Sequence, residues 1–189
     1  CDFLCTYGMT KEVFDNDYHY VPNSKRFSFE EITRITRLVV ALGVEKVRLT
    51  GGEPLLRKNL EVLVEMLAAI KTTSGKPLDI ALTTNATLLP KKAKALKAAG
   101  LNRVTVSLDS LNETTFRTMN DVDFPVADVL RGIDAARDAG FTAIKINMVV
   151  KKGVNDQAVV DMALHFRGSG CIIRYIELMV VGSSTVWCM

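Results

Sequence analysis

The chain opens with two cysteines four residues apart, in the segment Cys1-Asp2-Phe3-Leu4-Cys5-Thr6-Tyr7-Gly8-Met9. Thiolates at close spacing can bind zinc or the irons of an iron–sulfur cluster. Three thiolates in the pattern C-x3-C-x2-C would hold three irons of a [4Fe-4S] cluster and leave the fourth iron open for another ligand. Gly8 stands where that pattern needs its third cysteine. The spacing alone therefore leaves three interpretations: a cluster loop one ligand short, a partial zinc site, or a chance pair of surface thiols.

A second group of chemically unusual residues follows the apolar runs that we predict as strands. The paired glycines of Gly51-Gly52-Glu53-Pro54 would let a ligand approach the backbone, and the proline would stiffen the exit from the turn. Polar residues also end the other predicted strands: Thr83-Thr84-Asn85, Ser107-Leu108-Asp109, Asn147 and Glu177-Leu178-Met179. Strand ends often become polar because they reach water, but this explanation does not account for the glycine pair. We interpret the set as a site.

Three cations lie within apolar strands and not on helix faces: Arg48, Lys145 and Arg174. A cation that points into a protein interior must pair with a carboxylate or bind an anion, because removing it from water is costly. The carboxylates available for such pairs are Glu53, Asp109 and Glu177. Three cations at one mouth would otherwise suit a polyanionic substrate such as a triphosphate. Lys145 alone could instead form a Schiff base, as in a barrel aldolase.

A repeated unit of helix, glycine and strand must position these residues. In four segments a glycine ends a helix in a left-handed turn and a β-branched strand follows directly: 43–50, 100–107, 140–150 and 170–179. A fifth strand is predicted over 78–83, after a turn that contains glycine and proline. Helical periodicity fills the intervals, at 60–67, 93–99, 130–136 and 159–166. Such alternation calls for a parallel sheet with helices outside it.

The first predicted helix follows a capping-box signature, in which Ser28 precedes Glu31 by three residues. We expect one face of this helix to be apolar and buried, through Phe29, Ile32, Leu38 and Val39. No linker or low-complexity stretch interrupts the alternation, so we predict a single α/β domain over 1–189. A doubly wound sheet and a β/α barrel both fit, and in either one the active site lies beyond the carboxyl ends of the strands.

Composition narrows the class of protein. The chain has 189 residues, of which 48% are hydrophobic and 24% charged, with a net charge of +3. These values are ordinary for a globular protein and give no indication of nucleic acid or membrane partners. Four cysteines in a chain of this size favour reduced thiols and a cytoplasmic setting. We interpret Cys171 as a small core residue at a strand start and Cys188 as a surface thiol.

The order of the motifs resembles the radical S-adenosylmethionine (radical SAM) superfamily, in which a cysteine loop is followed by a strand and Gly51-Gly52-Glu53-Pro54. This resemblance implies a partial (β/α) TIM-type barrel, here truncated at both ends, with a [4Fe-4S] cluster and S-adenosyl-L-methionine as cofactors. A finer similarity to the GTP 3',8-cyclase family runs over nearly the whole chain. The segments that carry it are 9–14, 47–57, 82–85, 104–109, 145–150 and 173–179.

The finer similarity implies roles for individual residues. Cys1 and Cys5 match cluster ligands. The residues that match S-adenosylmethionine contacts are Tyr7, Gly52, Ser107 and Met179, and those that match GTP contacts are Arg48, Thr83 and Lys145. The family is a lyase of molybdenum cofactor (molybdopterin) biosynthesis and often forms homodimers. A 5'-deoxyadenosyl radical removes the ribose 3' hydrogen of GTP, and the sugar carbon then attacks C8 of guanine to give (8S)-3',8-cyclo-7,8-dihydroguanosine 5'-triphosphate.

The sequence departs from the family at several positions. Gly8 replaces the third cluster cysteine, Leu4 an expected arginine, Ala86 an expected glycine and Val180 an acidic residue. We also expect the C-terminal region with the family's second cluster to be absent from 1–189. Two alternatives follow: a catalytically impaired relative that still binds nucleotide, and a non-radical barrel lyase that uses Lys145.

Overall fold

The computed structural model describes residues 5, 21–22, 25–121 and 123–178. Within these ranges, helices and strands alternate in the order α1 (Phe29–Ala41), β1 (Lys46–Leu49), α2 (Leu60–Ala68), β2 (Asp79–Thr84), α3 (Leu89–Ala98), β3 (Arg103–Ser107), α4 (Glu113–Asn120), α5 (Val126–Asp138), β4 (Ile144–Val150), α6 (Val159–Phe166) and β5 (Ile172–Glu177). A short 3-10 helix at Pro54–Leu56 follows β1, and another at Asp156–Ala158 precedes α6. The five strands coincide with the predicted ones, each shorter or shifted by a few residues.

The strands form one parallel sheet in the order β1-β2-β3-β4-β5. A doubly wound sheet reverses its strand order at a switch point, whereas a β/α barrel adds each strand beside the previous one. The observed order is that of a barrel. Among the described strands β1 and β5 do not pair with each other, so the sheet is an open, partial β/α barrel, as predicted.

Local signals in the sequence explain where the elements begin and end. At the start of α1 the Ser28 amide donates to Glu31 Oε2 (2.7 Å) and the Glu31 amide donates to Ser28 Oγ (3.2 Å), which completes the predicted capping box. The four predicted strand-initiating glycines all adopt positive φ: Gly43 (98°), Gly100 (104°), Gly140 (85°) and Gly170 (79°). These glycines end their helices in the left-handed turn that the sequence predicts.

The two faces of the sheet differ in chemistry, because side chains alternate along each strand. The helix-covered face is apolar, and six of its residues have 0% exposure: Ile80, Leu82, Val104, Val106, Ile146 and Met148. The opposite face is polar. We call it the polar face and define it by Arg48, Thr83, Thr105, Ser107, Lys145, Asn147 and Arg174. The hydrophobic core of the barrel therefore lies between the sheet and the helices, and the hydrogen-bonding side chains lie on the sheet face opposite the helices.

Helix α1 differs from the prediction. Leu38 is 58% exposed, and the buried residues of the helix are Thr33, Thr36 and Val40. Both threonine hydroxyls donate to backbone carbonyls four residues earlier, so they can be buried without cost to their hydrogen bonding. The prediction therefore holds for Phe29 and Ile32, which pack against the core, and is wrong for Leu38. The apolar period could not reveal that threonines occupy the buried stripe.

Candidate active site

The loop that follows β1 exposes its backbone at the carboxyl end of the sheet. Gly51 has a φ of 149° and Gly52 is also exposed. A Cβ added to Gly51 would meet no atom within 4 Å, so glycine is required here by the backbone conformation and not by crowding. None of the described residues therefore blocks the approach of a ligand to Gly51.

Glu53 fastens the same loop to the end of β2. Its carboxylate is 7% exposed and accepts hydrogen bonds from the Leu55 amide (2.9 Å), the Thr84 hydroxyl (2.7 Å) and the Asn85 amide (2.8 Å). Glu53 therefore positions the glycine turn and does not neutralise the cations of the polar face in the described structure.

Arg48 reaches across two neighbouring strands. Its Nη1 donates to Thr83 Oγ1 on β2 at 2.7 Å and to Thr105 Oγ1 on β3 at 3.1 Å. The strand register pairs Thr83 with Thr105 and Thr105 with Lys145, so these side chains form one row across the polar face. A guanidinium, two hydroxyls and an ammonium group are thereby brought together. Cationic donors of this kind bind phosphate oxygens.

A second row lies closer to the carboxyl ends. It consists of Ser107, Asn147 and Arg174, which are register partners on β3, β4 and β5. Arg174 donates from Nε (3.0 Å) and Nη2 (2.9 Å) to the same oxygen, Asn147 Oδ1. The predicted site residue Ser107 is half-buried here, at the end of its strand. The second row therefore mixes one cation with neutral polar groups.

The salt-bridge interpretation of the strand cations is wrong for the residues that the structure describes. Within those residues, the observed partners of Arg48 and Arg174 are hydroxyl and amide oxygens, and no carboxylate lies within ion-pair distance of Lys145. Asp109 instead accepts the Val149 amide at 2.8 Å and is 1% exposed. Its carboxylate ties the loop after β3 to β4, which leaves the positive charge of the polar face available to an anion.

Cys5 lies against α4, the helix that follows the carboxyl end of β3. Its Sγ donates to Asn120 Oδ1 at 3.3 Å, and the buried Asn120 side chain in turn donates to the Phe116 carbonyl. At the other end of α4, the Val126 amide of α5 donates a hydrogen bond to the Glu113 carboxylate and so connects the two helices. This hydrogen bond lowers the pKa of Glu113. The half-buried Cys5 is thus held on the loop side of the sheet. The other predicted loop and cofactor residues, Cys1, Tyr7, Gly8 and Met179, lie outside the described residues.

Sequence reasoning missed three parts of this site: Thr105, Asn120 and the helix α4 itself. Thr105 precedes Ser107 by two residues, so strand alternation could have placed both on one face. Asn120 lies 115 residues from Cys5 in sequence, and no local pattern indicates their contact. Helix α4 is only eight residues long, and the Asn112 side chain caps it by accepting the Thr115 amide.

A cavity of about 310 Å³ lies at the opposite end of the sheet, next to the amino ends of β4 and β5. Gly140, Phe141 and Cys171 are among its lining residues. Cys171 is half-buried and packs against the core, close to the role predicted for it. The glycine turn lies at the carboxyl end of β1, so this cavity is at the other end of the sheet. Ligands of β/α barrels bind at the carboxyl ends of the strands.

Comparison with known protein families decides what kind of barrel this is. The family model of the radical SAM superfamily matches residues 1–166. The chain belongs to the radical SAM superfamily. Radical SAM proteins carry a [4Fe-4S] cluster and S-adenosylmethionine as their cofactors, and they are enzymes. Within the described residues, no helix has the length and apolar character needed to cross a membrane.

Curated relatives narrow the resemblance. The GTP 3',8-cyclase of Acidothermus cellulolyticus is 49% identical over 187 residues, which cover 99% of this chain and 51% of that protein. The enzymes of the same name from Xanthomonas axonopodis pv. citri and Staphylococcus epidermidis are 46% and 43% identical, and 54% of each is covered. The chain thus spans about half the length of the curated relatives it matches. These relatives do not favour the lyase interpretation of Lys145.

Solved structures confirm the fold. The native anSMEcpe structure with bound AdoMet and Kp18Cys peptide has a TM-score of 0.71 at 19% identity, with 95% of this chain and 48% of that chain covered. HydG, a maturase of the [FeFe]-hydrogenase, gives 0.70 at 18% identity, with 95% and 41% covered. At these identities the likeness establishes the partial barrel and nothing finer.

The two cofactors of the superfamily fit this chain unequally. The exposed backbone at Gly51 and Gly52, with Ser107 at the carboxyl end of β3, two strands away, suits a small polar cofactor such as S-adenosylmethionine. The cluster loop provides thiolates at Cys1 and Cys5, but Gly8 has no ligand atom in its side chain. Among the described residues, no group of three metal-binding side chains compensates for it. The residues present therefore do not complete a three-thiolate cluster site.

Proposed function

We propose that this chain is the barrel portion of a GTP 3',8-cyclase, which converts GTP to (8S)-3',8-cyclo-7,8-dihydroguanosine 5'-triphosphate in molybdenum cofactor biosynthesis. The observation that carries the proposal is the similarity of 40–49% identity to enzymes of this name over 99% of the chain. The polar face supports it independently: within the described residues no carboxylate pairs with its cations, and such cations suit a nucleoside triphosphate better than a neutral substrate.

In this proposal Arg48 and the row of Thr83, Thr105 and Lys145 bind the triphosphate. Arg48 and Lys145 supply positive charge, and Thr83 holds the Arg48 guanidinium at 2.7 Å. Electrostatic binding at the mouth of a barrel fixes the position of the phosphates, which in turn restricts where the ribose and the base can lie. Orientation of the ribose toward the neighbouring cofactor is then a consequence of where the phosphates are anchored.

S-adenosylmethionine is proposed to bind over Gly52 and Ser107, with Tyr7 and Met179 as further contacts, and when bound it supplies the radical chemistry of the superfamily. The chain's own contribution is to hold this turn rigid through Glu53, whose carboxylate joins β1 to β2. Cys1 and Cys5 are the proposed iron ligands, and the deficit at Gly8 predicts impaired cluster assembly. An impaired relative that binds nucleotide without turnover would share the same polar face.

The proposal also includes the cellular location and the oligomeric state. Thiolate ligands persist where the environment is reducing, which supports a cytoplasmic location. We also propose a homodimer with no nucleic acid or membrane partner, and light scattering of the purified chain measures its assembly directly.

The experiment is anaerobic reconstitution with iron and sulfide, followed by incubation with GTP, S-adenosylmethionine and a reductant. Gly8→Cys is compared with the native chain, because a third thiolate should raise iron content toward about four atoms per chain. We expect Gly8→Cys to form an isomer of GTP that separates from it by chromatography, at a rate well above that of the native chain. A Gly8→Cys protein that binds no more iron than the native chain would contradict the cluster-loop assignment. Full iron loading without binding of GTP would contradict the cyclase.

A further inference from the structure

The Arg48 guanidinium is oriented by two hydroxyl groups. Nη1 of an arginine carries two hydrogens, and here Thr83 Oγ1 (2.7 Å) and Thr105 Oγ1 (3.1 Å) accept both of them. No described residue accepts a hydrogen bond from the Nε–Nη2 edge of Arg48. That edge presents two parallel N–H groups, which match two oxygens of a phosphate.

Thr105 is the more deeply placed member of this pair. It is 2% exposed, and it lies on β3, two strands from the strand that carries Arg48. A single acceptor on β2 would leave the guanidinium free to turn about one hydrogen bond. A second acceptor on β3 fixes its plane, because the two hydroxyls occupy register-paired positions on adjacent strands.

The same arrangement leaves donor hydrogens beside the Arg48 guanidinium. Each threonine oxygen accepts from Arg48, and no described residue accepts either hydroxyl hydrogen. Lys145, the register partner of Thr105, adds further donors. Arg174 differs, because Asn147 already occupies its Nε–Nη2 edge. The bidentate phosphate edge on the polar face therefore belongs to Arg48.

We propose that Thr105 is a positioning residue for polyphosphate binding, acting by holding the Arg48 guanidinium so that its Nε–Nη2 edge faces the phosphates. This inference rests on the proposed function, since it concerns the triphosphate part of the same substrate. It adds a residue that the similarity to the cyclase family does not assign. It also predicts that the effect of Thr105 is confined to the phosphates and does not extend to the nucleoside.

The test is calorimetric titration of the full chain with GTP, inorganic triphosphate and guanosine. Thr105→Val removes the hydroxyl at nearly constant volume, and Thr105→Ser restores it. Thr33→Val is the matched control, because Thr33 is also buried (1% exposed) but its hydroxyl donates to the Phe29 carbonyl on α1. Circular dichroism establishes that each variant is folded.

We expect Thr105→Val to weaken GTP and inorganic triphosphate binding by about tenfold, the loss expected for a hydrogen bond to a charged group. Thr105→Ser should stay within about twofold of the native chain, Thr33→Val should match it, and guanosine binding should not change. Equal affinity of Thr105→Val and the native chain, or a parallel loss of guanosine binding, overturns the inference. If the native chain binds inorganic triphosphate but not GTP, the inference about Thr105 stands and the cyclase proposal is refuted. If it binds neither ligand, the inference and the cyclase proposal are both refuted.

Discussion

Arg48 and Arg174 enter the polar face from different strands, but they offer different edges to a ligand. Arg48 engages its Nη1 with two threonines, whereas Arg174 engages Nε and Nη2 with Asn147. Lysine keeps the positive charge but cannot form the bidentate pair. The two arginines can therefore be separated experimentally by their lysine variants.

We predict that Arg48→Lys weakens GTP binding by about tenfold, while Arg174→Lys weakens it by no more than about threefold. The measurement is equilibrium dialysis of labelled GTP against each variant. Arg174→Lys serves as the control for a lost guanidinium on the same face. A larger loss at Arg174 than at Arg48 would show that the phosphates contact the second row, and the assignment of Arg48 would be wrong.

At the scale of residues, the sequence predicted the site residues that belong to a motif, but it did not predict contacts between residues that are distant in the chain. The glycine turn, Arg48, Thr83 and Lys145 stand in recognisable segments, and the structure brings Arg48 against Thr83. Their roles in binding stay predictions. The contact of Cys5 with Asn120 depends on how α4 packs, which no spacing of residues in the chain encodes.

At the scale of elements, the packing of α5 against the end of β2 leaves no room for a side chain. A Cβ added to Gly132 in α5 would lie 2.2 Å from the Ala86 carbonyl oxygen and 2.8 Å from its Cβ. Ala86 itself is fully buried and has a φ of 68°, a left-handed conformation in which non-glycine residues are strained. This is the position where the family is expected to have glycine. The close approach therefore requires glycine at position 132, and it leaves no room for a side chain there.

We predict that Gly132→Ala lowers the free energy of unfolding by about 2 kcal/mol, because the overpacking cost exceeds the gain from alanine's better helix propensity. Urea denaturation followed by circular dichroism measures it. Gly153→Ala is the control: Gly153 has a φ of 74° but a Cβ there meets nothing within 4 Å, so its cost is conformational only, about 1 kcal/mol. If Gly132→Ala proves no less stable than Gly153→Ala, the helix does not pack as described.

Elements with strong local signals were predictable, and those defined by packing were not. The capping box places the start of α1, and the left-handed glycines place the strands, because both signals are properties of a few adjacent residues. The buried stripe of α1 was mispredicted, since Leu38 is exposed and Thr33 is not. Helix α4 was missed because its only large buried apolar residues are Phe116 and Met119.

At the scale of the whole molecule, alternation of strand and helix cannot distinguish a barrel from a doubly wound sheet. Both topologies use right-handed crossovers and apolar strands, and they differ in strand order alone. The order β1-β2-β3-β4-β5 settles the question in favour of the barrel, in agreement with the resemblance to the radical SAM superfamily. Strand order then positions the proposed site, because it gathers the polar face from five strands that are distant in sequence.

The central claim is that GTP binds on this polar face and not in the cavity at the amino ends of β4 and β5. A GTP analogue with a photoreactive group on its γ-phosphate tests it directly, by cross-linking to the full chain and location of the label by peptide mass spectrometry. We predict label in 79–85 and 103–109, which contain β2 and β3 and the residues that follow them, and unmodified GTP should prevent the labelling. Label confined to 140–142 and 169–171, beside the 310 Å³ cavity, would contradict the account.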